Sequence, residues 1–290
     1  MKIIVDENRR PKDMPPYNWY ELGPIRNVSE EDQLEFCNKP INQILPVKYL
    51  IKIIRNQKLR FNNIVRSWED PYELFLLKQN IEIESWSKNH FSFKLLNNYY
   101  GQCWSLTEDS DAIWRIYSFD KESVRIKTSV IKIINVLDQI RGMKWYVPYF
   151  GKVDYKNTVG VVDWMNEALE GGSGTLLKAF ADSLFIKRSE FAHENEVRFI
   201  VSKPIDEENN TNPNVFDSHI DFDVDPYNFI EEIALDPRLS DEDFEDRKAL
   251  LSSITREIPI VKSNLYQFQP QNYIIKETPM HLDVIVHDKQ

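Results

Sequence analysis

The chain has 290 residues, of which 42% are apolar and 12% aromatic; this excludes a disordered chain and predicts one or two folded domains. Its formal net charge of −10 argues against nonspecific binding of polyanions as the main activity, although a local basic patch remains compatible with it. The two cysteines, Cys37 and Cys103, lie in unrelated settings and predict neither a disulfide framework nor a cysteine zinc site.

The N-terminus, MKIIVDENRR, has a short apolar stretch that charges interrupt at once. It lacks the pattern of a signal peptide, and no apolar run of the chain reaches the roughly 18 residues of a membrane span. We therefore expect a cytoplasmic protein without a membrane partner. Residues 1–45 are rich in proline and charge and predict an extended N-terminal segment with a short helix that Ser29 caps.

Beyond residue 45, the hydrophobic pattern predicts a mixture of helices and strands. The predicted helices are 45–58, most of 69–100, 109–119, 129–142, 158–172, 175–187 and 240–254. The predicted strands are 59–63, 101–107, 123–129, 143–153, 196–202, 228–237 and 257–268. Because these elements alternate without a regular βαβ rhythm, the sequence predicts an α+β fold and not a doubly wound sheet.

Several common site motifs are missing from the sequence. The glycine cluster GGSG at Gly171 lacks the lysine of a phosphate-binding loop and predicts a flexible connection between two helices. The five histidines have no metal-binding spacing, and no nucleophile elbow is present, although a Ser/His/Asp triad stays open. HIDFDVD, from His219 to Asp225, alternates acids as a cation site does, but an exposed acidic edge strand is the favoured interpretation.

The stretch HENEVRF places Glu194 and Glu196 two residues apart at the start of a predicted strand. Residues two apart in a strand share a face, so the two carboxylates are predicted to project together and to need a cation or hydrogen-bond donors nearby. Such a pair suits a site that stabilises a positively charged sugar carbon or accepts a ribose hydroxyl. The residues alone favour a plainer interpretation, a solvated strand end in which the acids pair with Arg198 and Arg188.

Three short stretches in this order resemble known motifs: LRF at Leu59–Phe61, CWSLT at Cys103–Thr107 and ENEV at Glu194–Val197. They are similar to the Arg, Ser-Thr-Ser and Glu-x-Glu motifs of ADP-ribosyltransferases of the arginine–serine–glutamate class. The wider layout, over roughly residues 46–268, resembles a bacterial domain-of-unknown-function family. Its shared features are VKYLIKII, an Arg-Phe strand, EDPYE, Cys-aromatic-Ser, AIWRIYS, Glu-x-Glu-x-Arg and IPIVKSNL.

The resemblance implies roles for the matching residues. Arg60 is expected to hold the phosphates and ribose of NAD, a task for a permanently charged bidentate donor. Ser105 and, with a weaker match, Thr107 are expected to brace the nicotinamide-ribose pocket. Glu196 is expected to accept the ribose 2′-hydroxyl and to stabilise the oxocarbenium-like state. Glu194 is then expected to position or deprotonate the acceptor.

Further residues follow from the same resemblance. Trp104, Trp114 and Tyr117 are candidates to stack on nicotinamide, and Phe191 and His193 lie where such enzymes carry a target-recognition loop. The middle motif departs from the family, since it reads Ser105-Leu106-Thr107.

Arg125 and Lys127 alternate on one face of the strand SVRIKT. This face is a phosphate or nucleic-acid contact surface or, by the favoured interpretation, a solvated strand face. Arg125 is also the alternative to Arg60 as the NAD-binding arginine.

The resemblance implies an α+β fold with a split, mainly antiparallel sheet, flanking helices and a cleft between the two sheet halves. The predicted organisation is an N-terminal extension (1–45), an ADP-ribosyltransferase-like catalytic domain (46–268) and a C-terminal tail (269–290). NAD is the expected substrate, no metal is expected, and the acceptor is a protein or a nucleic acid (RNA or DNA). Such bacterial enzymes are often toxins or anti-phage effectors with a neutralising antitoxin protein. The alternatives are a noncatalytic interaction module of a defence system and a metal-dependent nuclease.

Overall fold

The computed structural model describes residues 25–76, 99–140, 143, 146–170, 176–203, 217–268 and 270. Its strands are β1 (Pro40–Pro46), β2 (Lys58–Asn63), β3 (Tyr99–Ser105), β4 (Ser123–Ser129), β5 (Val147–Lys152), β6 (Asp154–Lys156), β7 (Ile186–Arg188), β8 (Glu196–Ser202), β9 (His219–Asp223), β10 (Glu232–Leu235) and β11 (Ile260–Lys262). Its α-helices are α1 (Gln33–Cys37), α2 (Val47–Asn56), α3 (Ile64–Ser67), α4 (Asp111–Tyr117), α5 (Val130–Leu137), α6 (Thr158–Glu170), α7 (Leu176–Ser183), α8 (Pro226–Phe229) and α9 (Asp241–Thr255). Short 3₁₀ helices span Asp138–Ile140, Ser189–Glu194 and Asn264–Tyr266.

A large, mainly antiparallel sheet forms the centre of the molecule, with strand order β11-β10-β4-β1-β3-β2-β9, and β8 and β5 join it through β3. β10 and β11 pair in parallel, and β6 and β7 form a small separate parallel pair. Helices flank the sheet. The predicted α+β class with a mainly antiparallel sheet is confirmed.

Strand β3 is the point at which the sheet divides. One of its edges pairs with β8 over the whole strand. Its other edge is shared, because β2 pairs with Tyr100 and Gly101 whereas β1 pairs with Ser105. Strands β1 and β2 thus diverge between these points, and α2 connects them in the chain. The split opens the sheet face on which the candidate site lies.

Part of the predicted N-terminal extension belongs to the sheet. β1 pairs with β4 along its whole length, so the predicted boundary at residue 45 falls inside a central strand. Ile25 and Phe36 are buried in the main hydrophobic core, and the backbone of Arg26 is hydrogen-bonded to Phe150 and Lys152 of β5. Residues 25–45 therefore pack as part of the domain, while residues 1–24 lie outside the described residues.

Local sequence explains the helix starts near the site. The Ser110 hydroxyl caps α4 by accepting from the backbone N–H of Ile113, as the sequence predicts. Ser240 caps α9 in the same way, and three acids in its first turn favour the positive end of the helix dipole. Trp104 and Trp114 are among the largest fully buried side chains, so the predicted aromatic content serves the core at these two positions.

Three predicted elements differ from the structure. Residues 71–75, predicted to be helical, form turns around the Asp-Pro dipeptide, and 77–98 lie outside the described residues. The predicted helix 175–187 ends at Ser183, and Ile186–Arg188 form β7. The predicted strand 257–268 contains β11 and then a 3₁₀ helix. The GGSG connection and almost all of the C-terminal tail also lie outside the described residues. Within the described part of the chain, no helix has the length and apolar character needed to cross a bilayer.

Candidate active site

A cleft of about 560 Å³ opens on the sheet face at the split. Its lining joins residues from distant parts of the sequence: Arg60, Ser105, Thr107, Tyr117, Glu194 and Glu196. The structure thus brings Arg60, Ser105 and Glu196, which the sequence singles out, to one cavity.

Strand register explains why these side chains meet. Directly paired residues of neighbouring strands share a face, as do residues two apart in one strand. Asn62 of β2 pairs with Gly101 of β3, and Ser105 of β3 pairs with Glu196 of β8. Arg60 lies two residues before Asn62, and Ser105 lies four residues after Gly101. The face that carries Arg60 therefore also carries Ser105 and Glu196.

The two glutamates occupy different elements. Glu196 begins β8, whereas Glu194 ends the 3₁₀ helix, and Asn195 between them has φ 45° in the left-handed region. The prediction that both acids project from one strand is therefore wrong for Glu194. Both are also buried, at 7% and 8% relative exposure, so the solvated strand end is wrong as well.

Lys187 of β7 holds the two acids together. Its Nζ lies 2.5 Å from Oε2 of Glu194 and 3.4 Å from Oε2 of Glu196. A third carboxylate, Glu73, forms an ion pair with the same ammonium at 3.0 Å. Lys187 is itself buried, and its pKa is raised because Glu196 and Glu73 together outweigh the effect of burial.

Arg198 of β8 is a second buried cation that contacts two of these carboxylates. Its Nη2 donates to Oε2 of Glu196 at 2.7 Å and to Glu73 at 2.5 Å, and its Nη1 donates to the carbonyl of Leu184. The guanidinium has 0% exposure and lies 4.1 Å from the centre of the Trp68 ring. The predicted pairing of Glu196 with Arg198 is confirmed.

Arg188, the other predicted partner of the two glutamates, binds Asp70 instead. Its Nε and Nη2 donate to the Asp70 carboxylate at 3.2 and 3.1 Å. Asp70 and Glu73 both belong to the turn EDPYE, and Tyr72 of that turn lies under the Arg188 guanidinium at 4.7 Å. The Asp-Pro-aromatic-Glu stretch thus fixes the elements that carry the site acids.

The five-residue cluster carries an excess of negative charge. It comprises three carboxylates and two cations, which gives a formal charge of −1 when all are ionised: Glu73, Glu194, Glu196, Lys187 and Arg198. Burial alone raises the pKa of Glu196, but Arg198 and Lys187 outweigh it and hold that pKa below its usual value. A buried, ionised carboxylate at a cleft wall favours a ligand group that develops positive charge.

Hydroxyl groups orient Glu194 and its neighbours. Tyr117 donates to Oε1 of Glu194 at 2.9 Å, and the pKa of Tyr117 is raised by its partial burial and by the Glu194 charge. The Ser105 hydroxyl donates to the Glu194 carbonyl at 2.6 Å and accepts from the backbone N–H of Thr107 at 3.0 Å. Thr107 accepts in turn from the Asn195 amide at 3.4 Å. Ser105 and Thr107 therefore brace the turn that carries Glu194.

Arg60 of β2 also lines the cleft, and its side chain is half-exposed. It donates from Nε and Nη2 to the two carboxylate oxygens of Asp221, both at 2.9 Å. This hydrogen-bonded pairing lowers the pKa of Asp221. Asp223 likewise pairs with Lys58, so two acids of HIDFDVD match the charges of the two cations of β2.

Arg125 also lines the cleft, but its charge is already matched. Its guanidinium is 3% exposed and lies within 4 Å of Glu108, Asp109 and Glu232. β4 is largely buried, so the predicted solvated face with Arg125 is wrong. Lys127, which is half-buried, pairs with Glu108 at 3.1 Å. The structure favours Arg60 over Arg125 as the arginine accessible to a ligand.

The candidate aromatics divide between core and cleft. Trp114 is fully buried, lies outside the cleft lining and donates to Asp109, so it has no face free to stack on a ligand. Trp104 borders the cleft but is 2% exposed and meets Phe229 edge-on. Tyr117 is 46% exposed and is the candidate of the three with a ring that a ligand reaches.

Phe191 and His193 lie on the 3₁₀ helix that ends at Glu194. His193 is exposed, and the Phe191 ring lies 4.8 Å from Nζ of Lys187. Neither residue lines the cleft. Both residues lie beside the two acids, and their role in target recognition stays a prediction.

Within the described residues, no group of three or more His, Cys, Asp or Glu side chains is arranged to hold a metal ion. The Cys103 thiol, on the strand beneath the cleft, has a pKa well above its usual value because of burial and the nearby Glu196 charge. The thiol is thus held in its neutral form.

The sequence matches no family model and no curated protein. The resemblance to the domain-of-unknown-function family therefore stays a prediction. Solved structures of Thermus sp. 2.9 DarT are similar to this chain at 14% identity. The complex with ADP-ribosylated ssDNA aligns with a TM-score of 0.34 over 82% of this chain and 98% of that chain. The complex with NAD+ aligns with a TM-score of 0.32 over 78% and 96%.

Proposed function

We propose that the cleft binds NAD and that the chain is an NAD-dependent mono-ADP-ribosyltransferase for a macromolecular acceptor. The observation that carries this proposal is the buried pair Glu194 and Glu196, held around Lys187 in the cleft that Arg60 and Ser105 also line. A cation-matched, ionised carboxylate beside a half-exposed arginine suits a substrate that has an anionic diphosphate and a ribose carbon that becomes positively charged.

In this proposal the residues divide the chemistry between them. Glu196 accepts a hydrogen bond from the ribose 2′-hydroxyl and stabilises the positive charge that develops at C1′. This charge develops as the bond between C1′ and the nicotinamide nitrogen breaks, with the electron pair leaving on neutral nicotinamide. Glu194 takes the proton that the acceptor hydroxyl or amine loses as its oxygen or nitrogen bonds to C1′. Tyr117 and Lys187 hold Glu194 in place for this transfer.

The proposal extends to a bacterial toxin or anti-phage effector that a neutralising protein restrains. The acceptor is a protein or a nucleic acid, and single-stranded DNA belongs among the acceptors to test because the DarT complexes include ADP-ribosylated ssDNA.

The test incubates the purified chain with NAD labelled in nicotinamide, with cell lysate protein, RNA or single-stranded DNA as acceptor. We expect nicotinamide release, and Glu196→Gln lowers it about 100-fold or more with the fold unchanged by circular dichroism. Glu190→Gln is the matched control, since Glu190 is an exposed acid on the same 3₁₀ helix and lies outside the cleft lining. Absence of both turnover and acceptor modification would refute the proposal.

A further inference from the structure

Helix α2 differs in charge from the rest of this acidic chain. Its sequence, VKYLIKIIRN, contains three cations and no acid, and it buries Leu50 and Ile54 against the core. The remaining exposed side chains present a basic face in a molecule of net charge −10. A basic face beside a cleft attracts anionic ligands.

Part of this face lines the cleft itself. Tyr49 and Lys52 contribute to the cleft wall, and Tyr49 is 47% exposed. The ammonium groups of Lys48 and Lys52 lie 5.2 and 5.3 Å from the centre of the Tyr49 ring. An accessible aromatic ring with an ammonium beside it suits a nucleotide, because the ring stacks on a base and the ammonium binds a phosphate.

The cations of the cleft differ in how far their charges are already matched. Lys58, Arg60 and Arg125 each pair with carboxylates. In the described part of the chain, Lys52 has its contact with the Tyr49 ring and pairs with no carboxylate. Lys52 is therefore the cleft cation with charge left for a ligand phosphate.

Helix α2 connects β1 and β2, which pair with the edge of β3 opposite β8, the strand of Glu196. Glu196 lies on β8 and Arg60 on β2, and these strands flank β3 on its two edges. Neighbouring strands lie ~4.8 Å apart, so β8 and β2 are about 10 Å apart where both pair with β3. α2 immediately precedes β2, and its Tyr49 and Lys52 line the same cleft as Arg60.

We propose that Tyr49 and Lys52 form the subsite for the adenosine-phosphate half of NAD, with the adenine on the Tyr49 ring and a phosphate at Lys52. This inference rests on the proposed function and assigns the part of the cleft that α2 lines.

The experiment compares ligands that contain or lack this half. ADP-ribose contains it and nicotinamide mononucleotide lacks it, and calorimetry measures the Kd of each. Tyr49→Leu and Lys52→Ala are expected to raise the Kd of ADP-ribose and the KM for NAD about tenfold, while the Kd of nicotinamide mononucleotide stays within twofold. Arg55→Ala is the control, because Arg55 is an exposed cation on the same helix outside the cleft lining.

The outcomes separate the two proposals. Lys52→Ala removes an exposed side chain, so its result counts even where Tyr49→Leu disturbs the helix. The subsite is overturned, and the proposed function is kept, if the wild-type chain releases nicotinamide and both variants bind ADP-ribose as tightly as the wild type does. Equal weakening of nicotinamide mononucleotide, or weakening of an oligothymidine probe alone, also overturns it. A wild-type chain with neither binding nor turnover overturns both.

Discussion

The ammonium of Lys187 is predicted to stabilise the fold as well as the site. Its contacts with Glu194, Glu73 and Glu196 at 2.5, 3.0 and 3.4 Å are each worth about 5–7 kcal/mol at an effective dielectric of 20. Desolvation of the ammonium offsets much of this gain. Lys187→Met leaves three buried carboxylates with Arg198 alone, and removal of one partner from such a cluster costs about 3–5 kcal/mol of unfolding free energy.

Urea unfolding at pH 7 measures the effect, with an unchanged m-value as the sign that the unfolded state is the same. The melting temperature is expected to fall by on the order of 10 °C. Lys39→Met is the matched control, because the Lys39 pair with Glu35 at 3.0 Å is exposed and is worth less than about 1 kcal/mol. Lys187→Met combined with Glu194→Gln restores the cluster charge and recovers part of the loss. A loss for Lys187→Met no larger than that for Lys39→Met would refute the reasoning.

Three further predictions concern pH, the buried tryptophan and metals. The pKa of Glu196 is depressed below its ordinary 4.5, because Arg198 and Lys187 outweigh burial. The ionised carboxylate therefore stabilises the fold above about pH 4.5, and this contribution is lost as the pH falls through the lower pKa of the folded state. In acid titrations the stability difference between wild type and Glu196→Gln shrinks in that range. A pH-independent difference contradicts this. Trp114→Phe lowers the free energy of unfolding by about 1–3 kcal/mol but leaves the KM for NAD within twofold, because the indole is buried outside the cleft; a large KM increase refutes that placement. Nicotinamide release continues at the same rate with excess chelator, and its loss would contradict the expected metal-independent reaction.

The motif order singles out residues that the structure brings to one cleft. Arg60, Ser105 and Glu196 each belong to a short pattern on a strand, and strand periodicity of two settles the face on which each projects. The mixture of helices and strands without a βαβ rhythm likewise predicts the class of the fold.

The supporting charges escape prediction because their partners lie far apart in the chain. Lys187 is 114 residues from Glu73, and no local pattern links an ammonium to a carboxylate over that distance. The run SLFIK continues the apolar pattern of α7, so a three-residue strand there reads as the end of a helix. EDPYE contains the necessary acids, but its sequence does not reveal which cations they meet.

The sequence does not predict strand β1, for a different reason. β1 begins and ends with a proline, and proline usually marks a loop or an edge strand. Here both prolines lie at the strand ends, where the missing N–H costs little, so that the residues between them form a central strand.

The left-handed backbone at Asn195 separates the two carboxylates mechanically. Asparagine tolerates this conformation better than β-branched residues, and it allows the chain to leave a tight turn and enter β8 within one residue. Sheet pairing fixes the height of Glu196, whereas six residues of turn set the direction of Glu194. In the proposed reaction, exchange of the Ser189–Glu194 turn therefore re-aims the acid that takes the acceptor's proton, while Glu196 keeps its register.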